Sequence, residues 1–269
     1  MRVGILHPGA MGAVLAEVAA VPVMWASEGR SAETVDRANR YGLVDQGSVA
    51  DLAAASEILI SVCPPHAATD VAMHVERLGF DGLYVDANAI APATVRSIAD
   101  RFKRFVDGGI VGGPPTEAGE TRLYLAGSEA ETVAALWAGS TLTARVLDGE
   151  IGAASALKAA YAGWTKGSTA LLLAIRAYAE ANGLGDDLIA EWDTSIPGIS
   201  DRVERTAGRI GRKAWRFEGE MAEIAAAMEG VGLPAGFHDA AREIYHRLSD
   251  LRGSDSTTVE DVNRRLLES

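Results

Sequence analysis

The chain has 269 residues, 48% of them hydrophobic, enough for one large domain or two smaller ones with substantial cores. Its formal net charge of −12 argues against nucleic acid or anionic membrane as partners, and no run of roughly 18 uninterrupted apolar residues offers a membrane span. A single cysteine, Cys63, excludes an internal disulfide framework; with no charged leader and apolar segment ahead of the first strand, the expected location is the cytoplasm.

Residues 2–6 form an apolar run that enters the turn His7-Pro8-Gly9-Ala10-Met11-Gly12 and then a helix rich in Ala, Val and Leu. Such a turn between strand and helix brings backbone close to a pyrophosphate at the helix N-terminus. Gly9 allows the approach and Gly12 lets helix and strand pack. His7 stands where G-x-G-x-x-G has its first glycine; it either touches phosphate or is a passive turn residue. The plain alternative is an ordinary strand-to-helix turn.

A second apolar run at 21–25 leads to Ala26-Ser27-Glu28-Gly29-Arg30-Ser31. The end of this strand distinguishes NAD from NADP: a carboxylate accepts the ribose 2′-hydroxyl, an arginine accommodates a 2′-phosphate. No acid stands at the immediate strand end. Arg30, with Ser27 and Ser31, supplies donors for phosphate, which favours NADP(H) over NAD(H), with Glu28 as the rival for a hydroxyl. Ser31 also suits the N-cap of a helix over 31–41, with Glu33 in its first turn.

The third run, 57–63, ends in Ser61-Val62-Cys63-Pro64-Pro65. Strand C-termini of open sheets face the ligand crevice, so Val62, Cys63 and Pro64 are expected to line the nicotinamide ribose. Cys63 reads as a small buried residue rather than a nucleophile, since no base accompanies it. The fourth run, 83–86, leads into Asp86-Ala87-Asn88, where Asn88 is placed to hold nicotinamide or substrate and Asp86 to accept a local turn or cap bond. A helix over 92–102 and a fifth strand at 104–106 follow. The glycine-dense stretch Asp107-Gly108-Gly109-Ile110-Val111-Gly112-Gly113 then offers backbone amides to an anion or carbonyl, or is simply a flexible connection to a sixth strand at 123–126. Alternating strands and helices, with strands apolar throughout, predict an α/β fold: a Rossmann-type doubly wound parallel sheet over residues 1–149.

Residues 150–269 read as an all-helical domain. Its leading helix, 153–181, has no proline and few charges; it should run ~45 Å and be buried on most faces. Further helical periodicity occupies 201–215, 218–228 and 237–251. On the long helix Lys158 shares a face with Ser155, Tyr161 and Thr165. An amine among apolar residues serves as general acid or base near neutrality or snorkels to solvent; Lys166 is its rival. Arg202, Arg205, Arg209 and Arg212 share a face that reads as solvated. No metal site is indicated.

These motifs resemble the β-hydroxyacid dehydrogenase family, which includes 3-hydroxyisobutyrate and 6-phosphogluconate dehydrogenases. The turn 7–12 is similar to the family's G-x-G-x-M-G, Arg30-Ser31 to its Arg-Ser/Thr pair, 107–113 to its substrate loop D-A-P-V-S-G-G, and Gly152 through Lys158 to its G-x-x-x-x-x-K. The resemblance implies a hydride transfer between nicotinamide and a small hydroxy acid or related carbonyl compound, with Lys158 as proton donor or acceptor. It places substrate near Asn88, Gly109, Val111, Gly112, Gly113, Tyr161 and Thr165, with His238 a candidate from a less characterised C-terminal branch. The long apolar helix is longer than one small domain can cover, so a partner subunit is expected to bury it, giving a homodimer. Val111 replaces the loop serine, and Tyr161 and Ala162 replace the Asn-Asn after the lysine, so an imine reductase or a non-catalytic NADPH-binding sensor remain alternatives.

Overall fold

In a computed structural model of the protein, which describes residues 1–254 and 256–268, the chain divides into two compact units, Met1–Ala159 and Ala160–Ser269. The first alternates strands and helices: β1 Val3–Ile5, α1 Ala10–Glu17, β2 Val23–Trp25, α2 Ala32–Arg40, β3 Val44–Asp45, α3 Val49–Ala55, β4 Ile58–Ser61, α4 Ala68–Arg77, β5 Leu83–Asp86, α5 Pro92–Ala99, β6 Phe105–Val111, β7 Thr121–Ala126, α6 Ala130–Ala134 and β8 Leu142–Val146. The helix α7, Ala153–Ala181, begins in this unit and continues into the second, followed by α8 Gly185–Ser195, α9 Ile199–Ile210, α10 Ala214–Glu229, α11 Gly236–Leu248 and α12 Val259–Leu267. Beyond residue 146 no strand occurs among the described residues.

The sheet order is β3-β2-β1-β4-β5-β6-β7-β8. Strands from β3 to β6 are parallel, β7 runs antiparallel to β6, and β8 is parallel to β7. The chain leaves β1 toward β2 on one side and returns as β4 on the other, which opens a crevice at their carboxyl ends. Alternate residues feed two cores. Val3, Ile5, Ile58, Ile60, Leu83, Val85 and Val106 pack on one face; Leu59, Tyr84 and Phe105 pack on the other. Burial on both faces is why these strands carry apolar residues without alternation.

The fold class is the expected one, with three differences in detail. First, β6 does not stop at residue 106 but runs through the glycine stretch to Val111. Glycine disfavours strands on its own, yet here β7 pairs with every residue from Asp107 to Val111, beyond the point where β5 ends. Second, the reversal at β7 breaks the all-parallel pattern. Third, β3, β8, α8 and α12 were absent from the sequence reading; β3 has two exposed residues, too few to show a period, and β8 is a partly exposed edge strand.

In the second unit, α7 packs closely on α11 because its glycines leave room. A Cβ on Gly163 would lie 3.1 Å from His238 Nε2, and one on Gly167 3.0 Å from Phe237 Cε1. Lys166 pairs with Glu220 of α10, its amine 4.9 Å from the Phe217 ring centre, while Tyr245 Oη donates to Lys166 O at 2.7 Å. A capping box at Thr258 and Asp261 starts α12. The long helix is less buried than its composition suggests. Leu157, Tyr161, Trp164, Leu171, Ile175 and Tyr178 are all more than a third exposed, and their spacings of three, four and seven put them in one row. No helix of the described residues is long and apolar enough to cross a membrane.

Candidate active site at the carboxyl edge of the sheet

The turn after β1 is built for close approach. A Cβ on Gly12 would sit 2.4 Å from His7 O, so that position must be glycine for helix and strand to pack. Gly9 has nothing within 4 Å of its missing Cβ and faces open space. It caps α1 without any side-chain bond, leaving first-turn amides to an anion. Pro8 is buried, Ala10 exposed and Met11 half-buried. Arg30 folds back from the β2–α2 loop so that Nη2 donates to Leu6 O at 3.1 Å. Its Nε and the Nδ1 of His7 are both buried without a hydrogen-bond partner. Burial first, and Arg30 second, lower the His7 pKa to about 4, so the imidazole is neutral. Burial also lowers the Arg30 pKa. Two orphaned nitrogens beside an uncapped helix start can take up phosphate or ribose oxygens.

Ser31 caps α2, its Oγ accepting from Thr34 N at 3.3 Å. Ser27 is engaged by an acid distant in the chain: Asp45 of β3 accepts from Ser27 N at 3.1 Å and Gly47 N at 2.8 Å. Bonds from the Ser27 side chain and then Gly47 hold the Asp45 carboxyl below its usual range. Nothing local links Asp45 to Ser27, since only the pairing of β2 with β3 brings them together.

At the ends of β4 and β5 a closed network forms. Asn88 is 2% exposed; its Oδ1 accepts from Cys63 N at 2.6 Å, and its Nδ2 donates to Ser61 Oγ at 3.1 Å and Asp86 Oδ2 at 2.9 Å. Asn88 therefore braces the Val62-Cys63-Pro64 loop and has its amide engaged within the protein. Burial pushes the Cys63 thiol up to about 11, which leaves it a neutral, inert side chain.

Asp107 of β6, which heads the glycine stretch, secures the start of α7. Its Oδ2 accepts from Gly152 N at 2.9 Å, Ala154 N at 2.9 Å and Ser155 N at 3.1 Å, and its Oδ1 from Ser155 Oγ at 2.6 Å. Ser155 thus belongs to this cap. Burial raises the Asp107 pKa against these four bonds. Gly109, two residues along β6 on the same face, is where the helix rests: a Cβ there would lie 2.5 Å from Ala154 O and 3.2 Å from Lys158 Cβ. So the stem of Lys158, half-buried, is seated against the strand. Asp86, 1% exposed, pairs in register with Asp107 and accepts from Asn88 N at 3.0 Å. Burial is the main cause, and Asp107 a further one, that raises its pKa to about 7, while the Asn88 bonds and the Lys158 charge pull the other way.

The remaining substrate candidates are dispersed. Val111 is buried at the end of β6. Gly112 has φ +116° and a Cβ would meet Glu120 O at 2.4 Å, so it serves the turn into β7. Gly113 is open around its missing Cβ, and its carbonyl accepts from Thr121 Oγ1. In the second unit Tyr161 is 49% exposed. Thr165 Oγ1 bonds back to Tyr161 O at 3.0 Å. His238 stacks edge-on with Phe237 and has a buried, unpartnered Nδ1. Lys166 is engaged in its ion pair with Glu220, and among the described residues no cluster of His, Cys, Asp and Glu could hold a metal ion.

A Rossmann-type sheet with an open crevice, joined by one long helix to an all-α unit, is a dehydrogenase/reductase fold. Comparison with known proteins narrows the class. Residues 179–248 match a family model described as a domain of unknown function, DUF1932. The conserved protein MTH1747, of unknown function and described as structurally similar to 3-hydroxyacid dehydrogenases, is 28% identical, covering 93% of this chain and 98% of its own, with a TM-score of 0.72. At the level of fold alone, the 3-hydroxyisobutyrate dehydrogenase of Mycobacterium tuberculosis, solved with L-serine, shares 15% identity over 99% of this chain and 100% of its own, TM-score 0.68. A reductive aminase from Aspergillus terreus, in complex with NADPH and ethyl levulinate, shares 17% over 98% and 99%, TM-score 0.55. The chain has the fold of the β-hydroxyacid dehydrogenases, as its motifs suggested, with a DUF1932 segment in its helical half.

Proposed function

We propose that the protein is an NADP(H)-dependent oxidoreductase acting on a small hydroxy acid or related carbonyl compound, with Lys158 as general acid and base. The observation that carries this reading is the seating of Lys158: its stem rests on Gly109, two residues past the level where β5 ends, on the sheet face that holds Asp86 and Asp107. The two orphaned nitrogens of His7 and Arg30, the open Gly9 and the uncapped α1 fit a dinucleotide, and a structural neighbour of the same fold is bound to NADPH. Residues His7, Pro8, Gly9, Ala10, Met11 and Gly12 would hold the pyrophosphate, with Arg30, Ser27 and Ser31 at the adenosine ribose. Val62, Cys63 and Pro64, braced by Asn88, would line the nicotinamide side.

The cofactor supplies the hydride when bound. The chain's own task is the proton: hydride addition to a carbonyl leaves an alkoxide, and the Lys158 ammonium donates to that oxygen; in reverse the free amine accepts. Positioned general acids contribute ~10²–10⁴-fold. A cofactor-oxidation screen across keto acids, aldehydes and cyclic imines tests the reading, with Lys158→Ala expected to lose activity on that scale while NADPH affinity stays near wild type. Full activity in Lys158→Ala would end it. Turnover of imines alone would support the imine reductase alternative, which Tyr161, half-exposed one turn after Lys158, favours; tight NADPH binding without turnover would support a sensor.

The exposed row on α7 supports a homodimer, since a second copy would cover it; sedimentation giving a monomer at micromolar concentration would remove that proposal. Acidity and the absence of a membrane-spanning helix among the described residues are consistent with a cytoplasmic enzyme of small molecules.

A further inference from the structure

Among the buried titratable groups, Asp86 is one the proton transfer above does not use. It ends β5 and lies opposite Asp107 of β6 in parallel register. Strand residues two apart share a face, so Asp86, Asp107 and Gly109 look the same way. Gly109 carries the Lys158 stem, with 3.2 Å from its ideal Cβ position to Lys158 Cβ. The lysine therefore rises from the surface into which both carboxylates are set.

The two carboxylates are not equivalent. Both oxygens of Asp107 are taken by the first turn of α7 and by Ser155, and its charge is met by the helix N-terminus. Asp86 accepts from Asn88 N and Nδ2, neutral donors on its own loop. The other groups facing it are Ser61 and Cys63 from the end of β4, Tyr84 on its own strand, Asp107 from β6 and Lys158 from α7. Of these, only Lys158 brings a positive charge. A carboxylate this buried is costly unless a cation compensates it.

We propose that Asp86 is the positioning residue for Lys158: its carboxylate, held still by Asn88, is the counter-charge that keeps the amine protonated between turnovers. The inference rests on Lys158 being the proton donor of the proposed reaction, but its content is a coupling between two side chains that is measurable in the free protein. Once Lys158 has given its proton to the substrate oxygen, the neutral amine beside an anion recovers a proton from solvent. Asp86 exchanges no atoms with the substrate. A carboxyl group whose pKa is raised to about 7 by burial and by Asp107 holds this charge over only part of the pH range, so the coupling weakens as the medium becomes acidic.

The test is competitive labelling of lysines with acetic anhydride across pH, read by peptide mass spectrometry, with exposed Lys103 and Lys213 as internal references. An opposite charge within ~4–6 Å shifts a pKa by ~1–3 units. In Asp86→Asn, Lys158 should therefore label ~10-fold or more faster at pH 8, with the references unchanged. Asp86→Glu, which keeps the charge, should stay near wild type. An unmoved Lys158 midpoint in folded Asp86→Asn overturns the proposal. If that variant does not fold, Lys158→Met gives the reciprocal readout: the Asp86 carboxyl, followed by carbon-13 NMR, should titrate a unit or more higher, and an unmoved titration overturns the proposal equally. Because labelling needs no substrate, a coupling found alongside a fully active Lys158→Ala would condemn the proposed reaction and leave the Asp86 pair standing.

Discussion

Gly109→Ala is the sharpest test of how the long helix is seated. The added methyl would lie 2.5 Å from Ala154 O, 3.1 Å from Ala154 C and 3.2 Å from Lys158 Cβ. The first of these is a backbone atom, which no rotamer change can move. Ordinary contact requires ~3.5 Å, so the first turn of α7 must retreat by about 1 Å. The three Asp107 bonds to backbone amides, at 2.9, 2.9 and 3.1 Å, would then stretch to about 4 Å and cease to be hydrogen bonds. Overpacking of this kind costs ~1–3 kcal/mol, and hydrogen bonds to a charged group contribute ~1.5–3 kcal/mol each. Because relaxation recovers part of this, the expected loss is about 2–4 kcal/mol. At ~2–4 °C per kcal/mol for a unit of this size, the melting temperature should fall by roughly 5–15 °C. A 1 Å displacement of a reacting group is also worth ~10²-fold in rate, so turnover should suffer beyond the stability loss. Calorimetry and the cofactor-oxidation assay read both effects, with Gly219→Ala in α10 as control, since nothing lies within 4 Å of its missing Cβ. A Gly109→Ala protein with wild-type melting and turnover would refute the account of α7 resting on β6.

Four other outcomes follow from the structure. Arg30→Ala should weaken NADPH ~10–100-fold and NADH little, because a charge-assisted contact to phosphate is lost; fluorescence titration decides, and tighter NADH binding by the wild type would assign the ribose to Glu28. Asp86 has a folded pKa of about 7 against an ordinary value of 3.8, so its contribution to stability is fully present below pH ~3.8 and lost as pH rises through ~7, a change of ~4 kcal/mol at 1.36 kcal/mol per unit. Urea unfolding should therefore show Asp86→Asn gaining on the wild type between pH 4 and 7. His7, lowered to about 4, works the other way: its contribution is present above pH ~6.5 and lost as pH falls through ~4, so the wild type should gain on His7→Gln over that interval. A stability gap that stays flat with pH would contradict either assignment. Lys166→Met should destabilise by ~3–5 kcal/mol because it strands the largely buried Glu220, and Lys166→Met with Glu220→Leu should recover most of that loss; a double variant no better than the single one would show that the ion pair is not the cause.

What the sequence disclosed was local. The turn 7–12, the Ser31 cap and the span of α7 depend on residues a few positions apart, and each stands where the pattern put it. The glycine stretch after Asp107 does not read as strand, because glycine has no strand preference of its own; pairing with β7 makes it one. Asp107 and Ser155, the cap and its partner, are far apart in the chain, and no periodicity joins them. The Ser27–Asp45 contact likewise needs β2 and β3 to be paired. Asn88 was read as a ligand-facing amide, whereas burial at the ends of two strands turns it inward to Ser61, Cys63 and Asp86.

The uneven lengths of neighbouring strands also have a consequence for reach. β5 stops at Asp86, level with Asp107, while β6 carries on to Val111. That overhang of residues 108–111, about 13 Å at ~3.3 Å per residue, is the beam from which the reversed pair β7–β8 hangs. The last rung of β8, Val146, lies beside Leu125, which faces Gly108. A strand running against its neighbours would ordinarily carry the chain to the far edge of the sheet. Here it releases the chain one position past the end of β5, and α7 starts from that level. The height of the lysine above the strand ends is thus set where Asp107, level with the end of β5, holds the first amides of α7. A one-residue slip of β6 against its neighbours would turn Gly109 to the opposite face and unseat the helix.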